Sequence, residues 1–353
     1  MRHHKRIDDR LPILQQRSIC QYQCRQTPLD CRRHDWRRWD NHRGVQRNGA
    51  STAWVLHTTS VKGTSMPAED IDGRLIASTT LTAVAERADQ FRHRTGSAPC
   101  LATVLVGDDP ASHTYVRMKA NRCDATGIDS RRIALPDDTS TSELVDTIRG
   151  LSDDPRVHGI LLQHPVPTHI DERAAFEAIA PHKDVDGVTY ASFAAMAMAG
   201  DGFHSCTPGG ILRLLDAYDV PLSGARAVVI GRSPILGLPM GMLLLTRDAT
   251  VTYCHSKTAD LGEAVAAADV VVAAMGKPEL IKGSWIKPGA VVIDAGYNPG
   301  NVGDVEYEAA RERARLITPV PGGVGCQGTW GRPCRRTGGV PVRGQLISLS
   351  AVS

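Results

Sequence analysis

Tyr115 and Lys119 stand four residues apart in Ser112-His-Thr-Tyr115-Val-Arg-Met-Lys119, so on a helix they share one face. A lysine that is partly buried, or set among suitable polar groups, becomes a proton carrier near neutral pH. The same pair also fits a solvated helical lysine beside a packing tyrosine, so the companions matter. Gly159-Ile-Leu-Leu-Gln163-His-Pro165-Val-Pro167 puts a polar Gln where an apolar run ends, the usual place for a ligand site in a parallel sheet. Lys183-Asp184-Val-Asp186-Gly187 presents two carboxylates in a turn, and Pro319-Val-Pro-Gly-Gly-Val-Gly325 is a rigid loop with backbone donors.

A second kind of chemistry is suggested by Gly231-Arg-Ser233-Pro-Ile-Leu-Gly237-Leu-Pro239, which lies between an apolar run and a helical stretch. Glycines there permit a tight turn and let backbone N–H groups approach a pyrophosphate at the positive end of a helix. The spacing is G-x5-G rather than G-x-G-x-x-G, and a loop shaped only for packing is the competing explanation. The next apolar run ends in Cys254-His255-Ser256-Lys257-Thr258, without the acid that ordinarily reads the ribose of NAD. Arg232, Ser256 and Lys257 suit a 2′-phosphate instead, so the expected cofactor is NADP.

The elements that must position these residues alternate. Apolar residues recur at helical spacing over 78–94. A buried strand is expected at 100–106, then a helix from about Ser112 as N-cap, a strand near 130–134, a helix over 142–151 and a strand over 157–162. The second half repeats the pattern. Strands are expected at 227–230, 250–253, 270–274 and 290–294, a short one near Ile317, and helices over 238–245 and 260–268. This order predicts an α/β protein of two α/β domains built on parallel sheets, the second Rossmann-like. The boundary is expected near Cys206-Thr-Pro-Gly-Gly210. The divisions are 66–207 for the first domain, 208–325 for the second, and disordered ends at 1–65 and 326–353.

The 353 residues are 42% hydrophobic and 22% charged, which fits a folded globular chain, and no run approaches the ~20 apolar residues that span a bilayer. The net charge of +3 hints at an acidic partner until it is divided. Residues 1–65 carry +8 and 326–353 carry +4, whereas 66–325 hold 24 basic and 33 acidic residues, a net of −9. The basic arm, with Arg beside Trp, could pair phosphates and stack bases, or be a segment without a selected role. Cys20, Cys24, Cys31 and His34 match no common zinc spacing, so no metal is expected. Four scattered cysteines in 66–325 fit reduced thiols in a cytoplasmic protein.

Taken in order, 107–119, 159–167, 183–187, Cys206-Thr-Pro208, 231–239, 254–258 and 319–325 resemble the bifunctional methylenetetrahydrofolate dehydrogenase/cyclohydrolase family over about 66–325. The resemblance implies oxidation of 5,10-methylenetetrahydrofolate with NADP, then hydrolysis of the methenyl product to 10-formyltetrahydrofolate. It implies Lys119 as general acid/base, Tyr115 packing on the folate, Gln163 bonding the Lys119 amine, and Asp186 binding the pterin. It implies Pro165, Gly322 and Gly323 as further substrate contacts. Gly231, Arg232, Ser233, Gly237, Pro239, His255, Ser256 and Thr258 are the implied cofactor contacts. A homodimer is implied, with tetrahydrofolate derivatives as partners and neither membrane nor nucleic acid.

Two departures stand out. His164 occupies a position usually held by Leu and either fills space or serves as a second proton relay. After Gly325 the family's long amphipathic helix is replaced by a Gly/Pro/Arg run, which predicts a chain that keeps its catalytic residues but is destabilised or weakly active. Two other functions remain open at this point. One is an NADP dehydrogenase of shikimate or amino-acid type, which leaves the Tyr115, Lys119, Gln163 and Asp186 set unexplained. The other is a non-catalytic nucleic-acid-binding protein driven by the basic arm.

Overall fold

The computed structural model describes residues 67–326. The basic arm, its cysteines and the altered tail beyond Cys326 lie outside the described residues. The first helix, α1 (Gly73–Thr95), follows a two-residue strand, β1 (Glu69–Asp70). Asp72 caps α1 by accepting from the Arg74 and Leu75 amides, and Gly96 ends it in the left-handed conformation.

Three strands, β2 (Cys100–Val106), β3 (Asp129–Leu135) and β4 (Gly159–Leu162), form a parallel sheet in the order β3-β2-β4. They are joined by α2 (Pro110–Ala125) and α3 (Thr141–Asp153). Ser112 is not the N-cap of α2. Asp109 is, accepting from the Ser112 amide at 2.7 Å, with Pro110 in the first turn. Proline is tolerated there because its missing N–H would have had no helical partner. A reciprocal Ser140–Glu143 capping box starts α3. Its Leu144 and Ile148 pack with Val104, Ile160 and Phe176 in one core.

After β4 come two short helices, α4 (Glu172–Glu177) and α5 (Tyr190–Ala197), then α6 (Cys206–Ala217). The stretch expected as an interdomain boundary is therefore the first turn of a helix. Pro208 fits that turn, and Gly209 and Gly210 are buried in packing that outweighs their poor helix propensity.

The larger sheet contains β5 (Arg226–Ile230), β6 (Thr250–Cys254), β7 (Val270–Ala273), β8 (Val291–Asp294) and β9 (Leu316–Ile317), with β1 at its edge. Its order is β1-β9-β8-β7-β5-β6, all parallel. Glu69–Asp70, which falls within the range expected for the first domain, pairs here with Leu316–Ile317. The inner strands β5, β7 and β8 are largely apolar because both of their faces are covered. Ala227, Val229, Val270, Val272, Val291 and Ile293 join one core. Val228, Ile230, Val271, Ala273 and Val292 join the other. Three helices complete this half: α7 (Gly237–Leu245), α8 (Leu261–Ala266) and α9 (Tyr307–Arg311).

The start of α1 also holds the 319–325 loop. Gly73 donates its N–H to the Gly322 carbonyl at 3.1 Å. A Cβ on Gly73 would sit 2.0 Å from the Gly323 oxygen and 2.8 Å from that of Gly322. Alanine is the better helix former by ~1 kcal/mol, but overpacking against backbone costs ~1–3 kcal/mol, so the clash should win. Gly73→Ala is expected to lower the melting temperature; an unchanged or higher one in a thermal melt would show that the loop yields freely.

Candidate active site

Lys119 lies in the interior of α2 and is only 5% exposed. Its Nζ donates to Gln163 Oε1 at 2.8 Å. Gln163 follows β4 directly, and its backbone N–H continues the sheet by bonding the Val104 carbonyl at 2.8 Å. Its side-chain amide donates to the His164 carbonyl at 2.7 Å. A carbonyl can only accept, so this bond directs the amide oxygen toward the lysine.

Burial lowers the Lys119 pKa from 10.5 to about 8, against the opposing pulls of Asp186, Cys206 and Cys123. Desolvation thus outweighs charge attraction, and the amine can gain or lose a proton close to physiological pH. Tyr115 is half-buried one turn earlier on α2. Asp186 is half-buried and acts on Lys119 through its charge.

The two carboxylates of the 183–187 turn have separated environments. Asp184 is fully buried and accepts from the Val188 amide, the Thr189 amide and hydroxyl, and the Ser192 hydroxyl, at 3.1, 2.9, 2.7 and 2.6 Å. Burial pushes its carboxyl up, while these donors pull it down. Lys183 turns inward to the carbonyls of Leu151 and Asp154. These anchors leave Asp186 as the carboxylate in reach of Lys119. The Cys206 thiol donates to the Val185 carbonyl at 3.3 Å, which ties α6 to the same turn. This thiol and that of Cys123 were not foreseen as neighbours of the lysine. Cys123 lies between Arg122 and Asp124 and Cys206 between Ser205 and Thr207, so no local pattern marks either one. His164 sets its ring edge-on to Phe176 at 6.3 Å, as a space-filling residue does. Pro165 is exposed and follows a cis peptide bond.

At the other end of the chain's expected site, Gly231 and Cys254 are adjacent. The Gly231 N–H donates to the Cys254 carbonyl at 2.9 Å, so the turn after β5 and the turn after β6 lie side by side. Gly231 has φ of 135°, and a Cβ there would meet the Ala274 oxygen at 2.3 Å. Both facts require glycine. Gly237 crosses the same turn, where a Cβ would lie 2.4 Å from the Gly231 oxygen.

Ser233 has its hydroxyl accepting from the Leu236 and Gly237 amides at 3.2 and 3.3 Å, which stabilises the entry to α7. Pro239 is buried in the first turn of α7. Thr258 accepts from the His255 amide and His255 from the Lys257 amide, shaping the second turn. Arg232, Ser256 and Lys257 remain exposed around it. A strand–glycine turn–helix with a cation and donors on its rim is chemically suited to phosphate groups. Gly322 and Gly323 are brought to Gly73 of α1, in the loop that follows β9.

A tunable amine beside the end of one parallel sheet and a phosphate-type turn at the end of a strand in another place the chain among two-domain α/β enzymes that couple acid–base and dinucleotide chemistry. Comparison with known proteins narrows this. Residues 71–186 match the model of the tetrahydrofolate dehydrogenase/cyclohydrolase catalytic domain. Residues 205–329 match that of the NAD(P)-binding domain of the same family. The chain belongs to the tetrahydrofolate dehydrogenase/cyclohydrolase family.

Among its relatives, bifunctional protein FolD 1 of Streptomyces avermitilis is 69% identical over 258 residues, covering 73% of this chain and 90% of the relative. The Salinispora arenicola protein of the same name is 66% identical, covering 74% and 93%. Of the solved structures, the Campylobacter jejuni bifunctional enzyme FolD has a TM-score of 0.72 at 39% identity, covering 74% of this chain and 94% of that one. The Trypanosoma brucei enzyme, solved with NADP cofactor and an inhibitor, has a TM-score of 0.71 at 37% identity with the same coverage.

The lowered pKa has a consequence for stability. Folded Lys119 releases its proton near pH 8, whereas the unfolded side chain holds it to about 10.5. The penalty for burying the ammonium is therefore present in full below pH 8 and disappears as pH rises to 10.5. The unfolding free energy of the wild type, relative to Lys119→Met, is expected to rise by about 3 kcal/mol over that window. Denaturant titrations at several pH values check this; a flat difference would mean that the buried amine has an ordinary proton affinity.

Proposed function

We propose that the chain oxidises 5,10-methylenetetrahydrofolate with NADP to the 5,10-methenyl form and hydrolyses that product to 10-formyltetrahydrofolate. The observation that carries this reading is the buried Lys119 amine, 2.8 Å from Gln163 Oε1 and shifted to about pH 8. Adding water to the methenyl carbon requires a group that takes up a proton from water and returns one as the ring opens. Lys119 is that group. Gln163 orients the amine, Tyr115 packs on the folate, and Asp186 accepts from the pterin's N–H groups. Gly322, Gly323 and Pro165 line the folate's path.

The residues of the second half fit a dinucleotide. Gly231 and Gly237 let the backbone turn tightly beside α7, and Arg232 after β5, with Ser256 and Lys257 after β6, offers donors there. When bound, the cofactor accepts the hydride. The chain's own task is to align it, with Ser233, Pro239, His255 and Thr258 holding the two turns in shape. Residues 66–207 carry the folate half and 208–325 the cofactor half, with β1 lending a strand across the division. The same reading makes the protein cytoplasmic, in keeping with the free thiols of Cys100, Cys123, Cys206 and Cys254. It also makes it a homodimer, for which β6, the edge strand opposite β1 in the larger sheet, offers backbone unpaired among the described residues.

Hydride transfer needs alignment, and hydrolysis needs the proton carrier. Lys119→Ala is therefore expected to lower hydrolysis of the methenyl substrate by about 10²–10⁴-fold while dehydrogenase turnover persists. Spectrophotometry of NADPH and methenyl-folate separates the two; undiminished hydrolysis above the spontaneous rate would refute the assignment of Lys119. A 2′-phosphate met by Arg232 and Lys257 should favour NADP over NAD by about tenfold or more in KM. Comparable turnover with both cofactors at micromolar concentration would overturn the cofactor choice.

A further inference from the structure

At the carboxyl ends of β7, β8 and β9, two buried carboxylates connect three loops. Asp304 is fully buried. Its Oδ2 accepts from the Met275 and Gly276 amides at 2.5 and 2.8 Å. Its Oδ1 accepts from the Lys277 amide at 2.8 Å and from the Asn298 side chain at 3.1 Å. Three successive backbone amides converging on one point form the kind of nest that ordinarily takes an anion; here the protein supplies it.

Asp294, the last residue of β8, is arranged in the same way. It accepts from the Gly296 and Asp304 amides at 2.9 and 3.0 Å and from the Val305 amide at 2.9 Å. The two carboxylates press directly on backbone. A Cβ on Gly296 would lie 2.2 Å from Asp304 Cγ, and one on Gly303 would lie 2.0 Å from Asp294 Oδ2.

This pair lies between the expected cofactor turn and the loop expected to line the folate. On one side, the residue before the nest, Ala274, presses its carbonyl on Gly231 and donates its N–H to the Ile230 carbonyl at 2.8 Å. The nest therefore sets the wall of the phosphate turn. On the other side, the Asp294 amide donates to Thr318 Oγ1 at 2.7 Å, immediately before the 319–325 loop that contains Gly322 and Gly323. Ligands of open parallel sheets lie across the carboxyl ends of the strands, which is the line these bonds follow.

We propose that Asp304, with Asp294 behind it, is a positioning residue for the dinucleotide. It fixes the 274–277 segment, and with it the wall that Ala274 sets against the Gly231 turn, in the position the dinucleotide requires. The proposal rests on the NADP reading above and goes beyond it by naming residues outside the cofactor contacts. Asp304→Asn tests it. Whichever way the amide is turned, an NH2 group faces backbone N–H donors that now hold a carboxylate oxygen.

The variant and the wild type are titrated with NADPH by fluorescence and assayed separately for hydrolysis of preformed methenyl substrate, which needs no dinucleotide. The Kd for NADPH and the KM for NADP are expected to rise by about tenfold or more, with hydrolysis unchanged. An unchanged Kd overturns the proposal. A parallel loss of hydrolysis, NADPH binding and thermal stability assigns Asp304 a purely structural role and also overturns it. If Asp304→Asn does not fold, Asn298→Ala decides. It removes one of the four donors and should raise the NADPH Kd by a smaller factor without touching hydrolysis; an unchanged Kd there overturns the proposal. Wild-type protein that fails to bind NADPH refutes the cofactor reading itself, and the proposal with it.

Discussion

Removal of the Lys119 amine from water is the constraint on which the rest of the first half depends. An exposed lysine holds its proton to about pH 10.4 and is of little use as a carrier near neutrality. Burial brings the value down to about 8, although the Asp186 charge pulls the other way. The balance requires a particular distance régime. Asp186 must be close enough to bind and to moderate the shift, but not so close that it restores an ordinary lysine. Its position follows from Asp184, which spends its carboxylate on four donors of 188–192, and from Lys183, bonded to the carbonyls of Leu151 and Asp154. Neither residue touches the amine by any of these bonds, yet both determine what surrounds it.

The second half solves its problem without titration. The Gly231 turn is shaped by contacts so close that no side chain fits at Gly231 or Gly237, and by Ser233 bonding the amides that lead into α7. The difference suits the chemistry. A proton carrier must exchange with its surroundings, so its energetics are set by desolvation. A phosphate cradle must present fixed donors, so its energetics are set by backbone geometry.

Much of the architecture was legible because strands covered on both faces read as continuous apolar runs, as in Val270–Ala273 and Val291–Asp294. Glu69–Asp70 was not legible. Its two exposed acidic residues carry no strand pattern, and only pairing with β9 makes them a strand. The Cys206–Gly210 stretch, expected near a domain boundary, is helical because its glycines are buried in packing. Asp109-Pro110 carries the cap signal, a capping residue followed by proline, whereas Ser112 falls inside the first turn.

In the site, Tyr115 and Lys119 could be paired by helical spacing, whereas Lys119 and Gln163 are 44 residues apart and meet only because β4 lies beside β2. Spacing could not tell Asp184 from Asp186, since both belong to one turn and differ only in what packs over them. Asp304 had no signature at all, because its partners at 275–277 are backbone amides, which any sequence supplies.

The charge distribution bears on how the two halves handle anionic ligands. Residues 66–325 carry a net of −9, which would repel a dinucleotide phosphate if net charge governed binding. It does not govern at contact range. At physiological ionic strength charges are screened over about 8 Å, so the acidic surface acts mainly on approach, whereas on the proposed reading the exposed Arg232 and Lys257 meet the phosphate directly. Backbone donors at the head of α7 add a fixed positive potential that no surface acid within the turn opposes, since 231–239 and 254–258 contain none. Asp294 and Asp304 extend the same logic inward. Their carboxylates are matched by backbone amides, so neither stands as an open acid. A local arrangement of donors thus decides the ligand, and the overall charge of the enzyme core modifies only the rate at which it arrives.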